Sequence, residues 1–210
     1  HAFLFEGVLV DNVIHGVFYS GLQWSEPWVS FKNDSFALTN PYLLTRQAAR
    51  ESLEFSFPDI NGGSLSYPNK RFNNKVVIIQ IFGSWCPNCV DETKFLAGLH
   101  SQYQNRGLEI IGLAFESPKK LSDKIARVKE LKSHTRSKYD FLIAGSASKK
   151  EAQEALPFLN QISSFPTTIF IDKRGVVRKI HTGFYGPGTG EHYAKYTAEV
   201  DVLIESLLNE

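Results

Sequence analysis

The sequence predicts an α/β fold in which helices flank a central mixed β-sheet, preceded by a small strand-rich N-terminal segment. Two patterns indicate the α/β part. Apolar runs of strand length alternate with amphipathic stretches from about residue 50 onward, and a hairpin sequence precedes the last amphipathic stretch. In the N-terminal segment, short aromatic and β-branched runs are separated by Gly, Asn and Ser. We therefore expect two parts, residues 1–50 and 51–210.

The N-terminal segment, residues 1–50, is predicted to form antiparallel strands joined by hairpins. Its aromatic and β-branched runs include Val17-Phe18-Tyr19 and Trp28-Val29-Ser30-Phe31, and no helical period connects them. Asn40-Pro41 begins a connecting stretch, which places the boundary near residue 50. The chain opens on His1 and contains no methionine, so we expect a processed fragment whose first segment is part of a truncated upstream domain.

The first half of the α/β part is built around one strongly apolar run. Val76–Phe82 is apolar except for Gln80, which predicts a central strand covered on both faces. An amphipathic helix follows from the two cysteines onward. Ser117-Pro118 is predicted to be the N-cap and first residue of the next helix. Three further strands are predicted in this half, at residues 54–57, 63–66 and 108–115.

The second half contains a capped helix, a hairpin and a final helix. Ser148 and Glu151 fit a capping box for a helix that Pro157 should end. Residues 172–175, Asp-Lys-Arg-Gly, are typical of a hairpin turn. The remaining elements are a strand at 141–143, hairpin strands at 167–171 and 176–181, and a last helix with an apolar stripe at Tyr193, Tyr196, Val200, Leu203 and Leu207.

Composition excludes several classes of function. The formal net charge of +1 provides no basic surface for nucleic acid, so we expect no nucleic acid partner. The longest apolar run, Val76–Phe82, is far shorter than the roughly 20 residues that cross a bilayer. Two cysteines are too few for a structural disulfide framework, and the six histidines show no metal-ligand spacing. We therefore expect no metal, and the two cysteines must act as a pair.

The cysteines, Cys86 and Cys89, stand at the start of a predicted helix that directly follows a buried strand. Unpaired backbone N–H groups and the helix dipole at that position favour an anion, so Cys86 is predicted to be the attacking thiolate. Pro87 suits the first helical turn because its missing N–H costs nothing there. Cys89, one turn further and more buried, would resolve the mixed disulfide. The alternative is an inert disulfide or two stray buried thiols.

Two motifs resemble a known family. The stretch QIFGSWCPNC at residues 80–89, followed by Glu92, is similar to the first signature of the thioredoxin-like TlpA/ResA group of bacterial thiol–disulfide oxidoreductases. The stretch SFPTTIFID at residues 164–172 resembles the second signature. The resemblance covers about residue 53 to the C-terminus and implies a thioredoxin fold for that part. The N-terminal segment resembles at most a strand-rich extension that precedes this domain in some relatives.

The resemblance assigns a catalytic role to Glu92, which would manage protons as the thiols open and close. The alternative is a solvated first-turn glutamate that complements the helix dipole. Gln80 is a departure from thioredoxins proper, which bury an aspartate six residues before the first cysteine. A glutamine cannot take a proton, so more of the proton chemistry would depend on Glu92. Gln80 itself can also be a polar side chain satisfied within the core.

The second signature implies a cis peptide bond before Pro166, opposite the cysteines. Because Pro166 has no N–H, we expect the neighbouring backbone to pair with an extended substrate segment. The hairpin should return the segment after residue 181 to the cysteine face, where aromatic side chains would form a collar around Cys86; they could instead plug the end of the sheet. His181 is predicted to be structural. The expected substrate-binding residues are Trp85, Pro87, Phe165, Pro166, Gly183, Phe184 and Tyr185.

The favoured function is an enzyme that reduces or exchanges protein disulfides by cycling Cys86 and Cys89, with no cofactor other than that dithiol/disulfide pair. The alternatives are a peroxiredoxin-type peroxidase and a non-catalytic peptide-binding module of the same fold. By resemblance we expect an extracytoplasmic protein, periplasmic or anchored through missing N-terminal sequence. Its partners would be client protein thiols or disulfides and a membrane or thioredoxin-type electron donor.

Overall fold

A computed structural model describes residues 3–20, 24–48 and 52–210. The chain divides into two compact units, residues 1–39 and 40–210. The predicted boundary near residue 50 falls on residues 49–51, which lie outside the described residues. Residues 40–48 belong to the second unit, where the Ala48 N–H donates to the Phe158 carbonyl and the Asn160 N–H donates to the Arg46 carbonyl.

The first unit is a three-stranded antiparallel sheet in the order β1-β2-β3, formed by Phe3–Val10, Val13–Ser20 and Trp24–Phe31. A two-residue turn, Asp11-Asn12, joins the first two strands, and both of its residues have positive φ, 48° and 66°. Asn and Asp tolerate this left-handed conformation, which the tight hairpin turn requires. The predicted strand-rich N-terminal segment is confirmed.

The second unit begins with a short helix that was not predicted, and after it strands and helices alternate as predicted. Three 3-10 turns lie between the main elements, at Lys70–Phe72, Gln104–Arg106 and Pro187–Thr189. In chain order the main elements are α1 (Pro41–Leu44), β4 (Phe55–Pro58), β5 (Ser64–Tyr67), β6 (Val76–Phe82), α2 (Pro87–Tyr103), β7 (Leu108–Glu116), α3 (Leu121–Thr135), β8 (Asp140–Ser146), α4 (Lys149–Ala155), β9 (Thr167–Ile171), β10 (Val177–Thr182) and α5 (Glu191–Asn209).

The central sheet has five strands in the order β10-β9-β6-β7-β8. β6 pairs in parallel with β7 and antiparallel with β9, so the sheet is mixed, as predicted. Consequently the carboxyl ends of β6 and β7 and the start of β9 meet at one edge. Ile81 pairs with Thr167, and Phe82 pairs with Ala114. The residues that follow β6 therefore lie close to those that precede β9.

The core lies on both faces of this sheet. Successive residues of a strand point to opposite faces, and in β6 the side chains of Ile78 and Ile79 belong to two separate apolar clusters. Helices α2, α3 and α5 cover one face, and the β4–β5 hairpin and α4 cover the other. This double coverage explains why β6 is almost entirely apolar.

Of two predicted helix starts, one is confirmed and the other is wrong. Ser148 caps α4 as predicted, because its Oγ accepts the Glu151 N–H at 3.3 Å. The predicted start of α3 at Ser117-Pro118 is wrong, since the helix begins at Leu121. β7 runs on to Glu116, and the chain needs the following residues to cross from the sheet to the helical layer.

Candidate active site

The first cysteine lies at the junction between the central sheet and helix α2. Cys86 is the N-cap residue, with extended backbone (φ −95°, ψ 115°), and Pro87 is the first helical residue, as predicted. The Cys86 carbonyl accepts the Val90 N–H at 3.1 Å, and the Cys86 N–H donates to the Gly83 carbonyl at 3.1 Å. The loop and the helix therefore hold this residue from both sides.

The two thiols have opposite electrostatic environments. A hydrogen bond from the Cys89 thiol, with help from the backbone N–H groups of Cys89 and Asn88, lowers the pKa of Cys86 to about 7 against the effect of burial. Burial is the main reason why the pKa of Cys89 is raised well above 9. Both cysteines are free thiols. Near neutral pH a substantial fraction of Cys86 is therefore thiolate, whereas Cys89 remains a thiol.

A buried carboxyl group lies next to the thiols on α2. Glu92 is completely buried; its Oε1 accepts a hydrogen bond from Thr168 Oγ1 at 2.8 Å, and its Oε2 accepts one from Gln80 Nε2 at 2.9 Å. Burial raises the pKa of Glu92 to about 7, although the two hydrogen bonds oppose the shift. A carboxyl group with this pKa can take up and release a proton near neutral pH.

Gln80 connects this carboxyl group to the second cysteine. Its Nε2 also faces the Cys89 carbonyl at 3.4 Å and Thr93 Oγ1 at 3.2 Å, and its Oε1 accepts the Tyr139 hydroxyl at 3.4 Å. The Gln80 side chain is therefore satisfied within the core and also fixes Glu92. Sequence reasoning did not identify Tyr139, because a tyrosine before a strand is ordinarily a packing residue.

The Phe165–Pro166 peptide bond is cis, as the resemblance implied. Cys86 Sγ lies 3.8 Å from the Phe165 carbonyl oxygen. The Pro166 carbonyl accepts the Gly183 N–H at 2.8 Å, and Gly183 has a φ of +87°, a conformation that favours glycine. The attacking thiol thus faces the backbone at the start of β9.

One aromatic side chain beside the thiol is exposed. Trp85 is 44% exposed, its Nε1–H donates to the Phe115 carbonyl at 2.9 Å, and its ring meets Phe165 edge-on at 5.8 Å. Gly83 leaves room for the indole, since a Cβ there would overlap Trp85 Nε1. Trp85 and Phe165 therefore form an apolar surface next to the cysteine.

The aromatic collar predicted from Trp85, Phe165, Phe184 and Tyr185 is wrong for Phe184. Phe184 is only 6% exposed and packs against Phe95 and Tyr196. Tyr185 is 37% exposed and stacks on His192, and its contact with a client stays a prediction. The loop does reach the motif through its backbone, because Asn88 Nδ2 donates to the Phe184 carbonyl at 3.4 Å. The Phe184 ring is buried in an aromatic cluster above the sheet. This agrees with the alternative given in the sequence analysis, in which the side chain plugs the end of the sheet.

Sequence reasoning missed a second buried carboxylate. Glu116 accepts both the backbone N–H and the hydroxyl of Ser84, each at 2.7 Å, and so holds the loop that carries Trp85 and Cys86. Burial raises the pKa of Glu116, and the hydrogen bonds from Ser84 oppose this shift. A signal was available, because Glu116 ends β7, and the carboxyl ends of adjacent parallel strands meet at one edge.

Within residues 3–20, 24–48 and 52–210, no three His, Cys, Asp or Glu side chains converge as a set of metal ligands. No helix in the same ranges combines the length and apolar composition needed to cross a bilayer.

Comparison with known proteins identifies relatives. The model of the AhpC/TSA family matches residues 48–180. The thiol-disulfide oxidoreductase ResA of Halalkalibacterium halodurans is 24% identical over 137 residues, 65% of this chain and 69% of the relative. ResA of Geobacillus thermodenitrificans is 30% identical over 130 residues, 62% of this chain and 66% of the relative. The chain thus spans about two thirds of the length of these relatives.

A solved structure shares the fold. The thiol:disulfide interchange protein of the thioredoxin family from Chlorobium tepidum superposes with a TM-score of 0.55 at 19% identity, covering 78% of this chain and 97% of that protein. The predicted thioredoxin fold is confirmed.

Proposed function

The chain belongs to the AhpC/TSA family as a thiol–disulfide oxidoreductase, and from that premise we propose that it reduces disulfides of extracytoplasmic client proteins. The observation that carries the proposal is the difference in acidity between the two thiols at the start of α2. The pKa of Cys86 is lowered to about 7, and the pKa of Cys89 is raised. An attacking thiolate and a resolving thiol are what disulfide exchange requires.

The proposed reaction has two exchange steps. The Cys86 thiolate attacks a client disulfide, the client S–S bond breaks, and one client sulfur leaves as a thiolate while the other is joined to Cys86. Cys89 then gives its proton to the Glu92 carboxylate and attacks Cys86 Sγ, which releases the second client thiolate. Two electrons pass from the Cys86–Cys89 dithiol to the client disulfide, and Glu92 is left protonated.

We propose that the client lies across Trp85, Phe165 and the cis-proline backbone. The exposed indole and the neighbouring phenyl ring provide apolar area beside Cys86. The backbone around Pro166 would pair with an extended client segment, and Gly183 orders that backbone through its hydrogen bond to the Pro166 carbonyl. Pro87 would border the same segment at the first turn of α2.

The electron source and location are further parts of the proposal. A membrane or thioredoxin-type donor would return two electrons to the Cys86–Cys89 disulfide, and no separate cofactor takes part. The resemblance of both motifs to the TlpA/ResA group supports the proposed extracytoplasmic location. Neither nucleic acid nor metal belongs to the proposed cycle.

Reduction of insulin by dithiothreitol tests the reaction. We expect the protein to accelerate insulin precipitation and Cys86→Ala to abolish the effect. Reduced Cys89→Ala, mixed with insulin after dithiothreitol is removed, should accumulate a mixed disulfide between Cys86 and insulin, because the variant has no second thiol to resolve it. A reduction potential near −270 mV, on the scale where roughly −120 mV marks a strong oxidant, would support the reducing direction. Silence in the insulin assay would favour the non-catalytic peptide-binding module instead.

The same protein preparation tests the peroxidase alternative. A peroxidase of this family would oxidise Cys86 to a sulfenic acid with hydrogen peroxide and would need an activating arginine at the thiolate. The groups that lower the pKa of Cys86 are the Cys89 thiol and backbone N–H groups, with no arginine among them. We expect slow peroxide consumption; consumption faster than insulin reduction would overturn the proposed function.

A further inference from the structure

A groove between helices α2 and α3 opens beside the loop that carries the first cysteine. We propose that this groove binds an acidic segment of the client protein, close to the client disulfide, and that Arg127 pairs with a client carboxylate. The inference rests on the proposed function and names the class of client that the site favours.

The groove has the size and lining of a binding cleft. Its volume is about 650 Å³, within the range of roughly 300–1,000 Å³ that is typical of such clefts. Val90 of α2 and Leu131 of α3 supply its apolar surface. The other residues that line it are polar: Ser84, Arg127, Glu130, Ser133 and His134. An extended segment can therefore place apolar side chains between the helices and polar ones at the rim.

The groove adjoins the reacting thiol. Ser84 lies two residues before Cys86, so their Cα atoms are at most about 7 Å apart. Val90 directly follows Cys89 in the chain. A client joined to Cys86 by a disulfide therefore reaches the groove with a few extended residues, at about 3.3 Å each.

Positive charge is concentrated in residues 117–138, which contain α3 and the segments on either side of it. This stretch holds eight Lys or Arg and two Asp or Glu, a formal charge of +6. Because the whole chain carries +1, all other residues together carry −5. The low net charge of the chain therefore conceals one strongly basic helix, and that helix forms a wall of the groove.

The charges of this stretch are not neutralised by ion pairs within the part of the chain that the structure describes. None of the salt bridges between described residues includes a residue from 117 to 138. Lys124 and Lys132 donate instead to the backbone carbonyls of Gly145 and Tyr139. The other six basic side chains are exposed: Lys119, Lys120, Arg127, Lys129, Arg136 and Lys138. An acidic partner would supply the missing counter-charge.

Arg127 is the member of this exposed set that lines the groove. Its nearest carboxylate of note is Glu116, whose two oxygens are already engaged by Ser84. Burial raises the pKa of Glu116, and after the Ser84 hydrogen bonds the charge of Arg127 opposes this rise. The Arg127 guanidinium group thus remains available for another carboxylate, which it can bind through two parallel N–H donors.

Glu130 restricts where a client carboxylate can lie. It is three positions after Arg127 on the same face of α3 and lines the same groove. Because like charges repel, a client carboxylate is favoured beside Arg127 and disfavoured beside Glu130. The pair therefore gives the groove a preferred register for an acidic segment.

Two peptide disulfides test the groove. Each joins two copies of one fluorescent peptide through a single cysteine, with glutamates on both sides of the cysteine in one peptide and serines in the other. The reduced full chain, freed of dithiothreitol, is mixed with each, and the reduction rate is measured against peptide concentration. We expect the acidic peptide to reach half-saturation at a concentration about three- to fivefold lower. The difference should disappear in about 1 M salt, where the Debye length is roughly 3 Å.

Three variants locate the preference. Arg127→Gln should remove it, because the client carboxylate loses its partner. Lys129→Gln is the matched control, since it removes the same charge from the same helix. Residues two positions apart do not share a helix face, so Lys129→Gln should keep the preference for glutamate. Arg127→Glu should instead prefer a third peptide in which lysines replace the glutamates.

The failures of this inference and of the proposed function differ. Equal half-saturation of the acidic and serine peptides in wild type, or equal loss of preference in Arg127→Gln and Lys129→Gln, would overturn the groove. Co-sedimentation with vesicles of phosphatidylserine and phosphatidylcholine, without any peptide preference, would assign the basic side chains to a lipid surface and also overturn it. If wild type reduced neither peptide, the proposed function itself would be wrong.

Discussion

The two thiols differ in acidity because they occupy different positions on one helix. Cys86 lies at the N-terminal end of α2, where backbone N–H groups and the Cys89 thiol stabilise its anion, and Cys89 lies one turn deeper. We expect iodoacetamide to alkylate Cys86 first, with a rate that rises as the pH passes through about 7. Peptide mass spectrometry identifies the modified residue, and faster modification of Cys89 would reverse the assigned roles.

Glu92 links the stability of the reduced protein to pH. Its pKa is about 7 in the folded protein and 4.5 as a model carboxyl, so the folded state binds the proton more tightly than the unfolded chain. This contribution is fully present below pH 4.5 and is lost as the pH rises to about 7. The loss corresponds to about 3 kcal/mol in the free energy of unfolding.

Glu92→Gln isolates that contribution because glutamine does not titrate. Urea unfolding of reduced wild type and variant, below pH 4.5 and above pH 7, gives the difference between the two proteins at each pH. We expect the variant to gain about 3 kcal/mol relative to wild type on going to the higher pH. An equal difference at both pH values would mean that Glu92 titrates normally.

At the scale of elements, the loop between β6 and α2 depends on one glycine. A Cβ on Gly83 would overlap Trp85 Nε1 and lie 3.0 Å from the Phe115 carbonyl oxygen. We expect Gly83→Ala to displace the indole, cost about 1–3 kcal/mol of stability and slow insulin reduction. Displacement should appear as stronger iodide quenching of tryptophan fluorescence.

Gly98, within α2, is the matched control. A Cβ there meets nothing within 4 Å, so Gly98→Ala should raise the stability by up to about 1 kcal/mol and leave insulin reduction unchanged. If both substitutions had the same effect on quenching and on insulin reduction, the close approach of Trp85 to Gly83 would not be needed for function.

Elements with strong local signals were the predictable part of the fold. The apolar run of β6, the Ser148 cap and the hairpin turn each follow from residue types at fixed spacing. The start of α3 was not predictable in the same way. Ser117-Pro118 has favourable local chemistry for a helix start, but the length of β7 and the distance to the helical layer decide where α3 begins.

The residues of the candidate site also differ in whether local sequence was enough to predict them. Cys86 and Pro166 belong to sequence motifs that can be recognised without knowledge of the fold. Glu116 acts through Ser84, which is distant in sequence, and only the order of the strands brings these two residues together. Phe184 was misplaced because its sequence is compatible with both an exposed collar and a buried plug, and packing by α2 and α5 decides between them.

At the scale of the whole molecule, the segment before β4 has a structural role in the second unit. Thr45 is fully buried and its Oγ1 accepts the Thr182 hydroxyl at 2.8 Å, at the end of β10. Tyr42 bonds to Glu199 of α5, and Ala48 pairs with the backbone of Phe158. Residues 40–48 therefore tie the edge strand, the last helix and the loop after α4 to one another.

Two shortened chains test this role. A chain that begins at Asn40 should fold, give the same urea midpoint for the second unit as the full chain and reduce insulin at an equal rate, because it retains every contact of residues 40–48. A chain that begins at Ser52 lacks those contacts and should lose several kcal/mol of stability, at about 1 kcal/mol for each hydrogen bond. Circular dichroism with urea gives both midpoints; equal midpoints for the two shortened chains would show that residues 40–48 only connect the units.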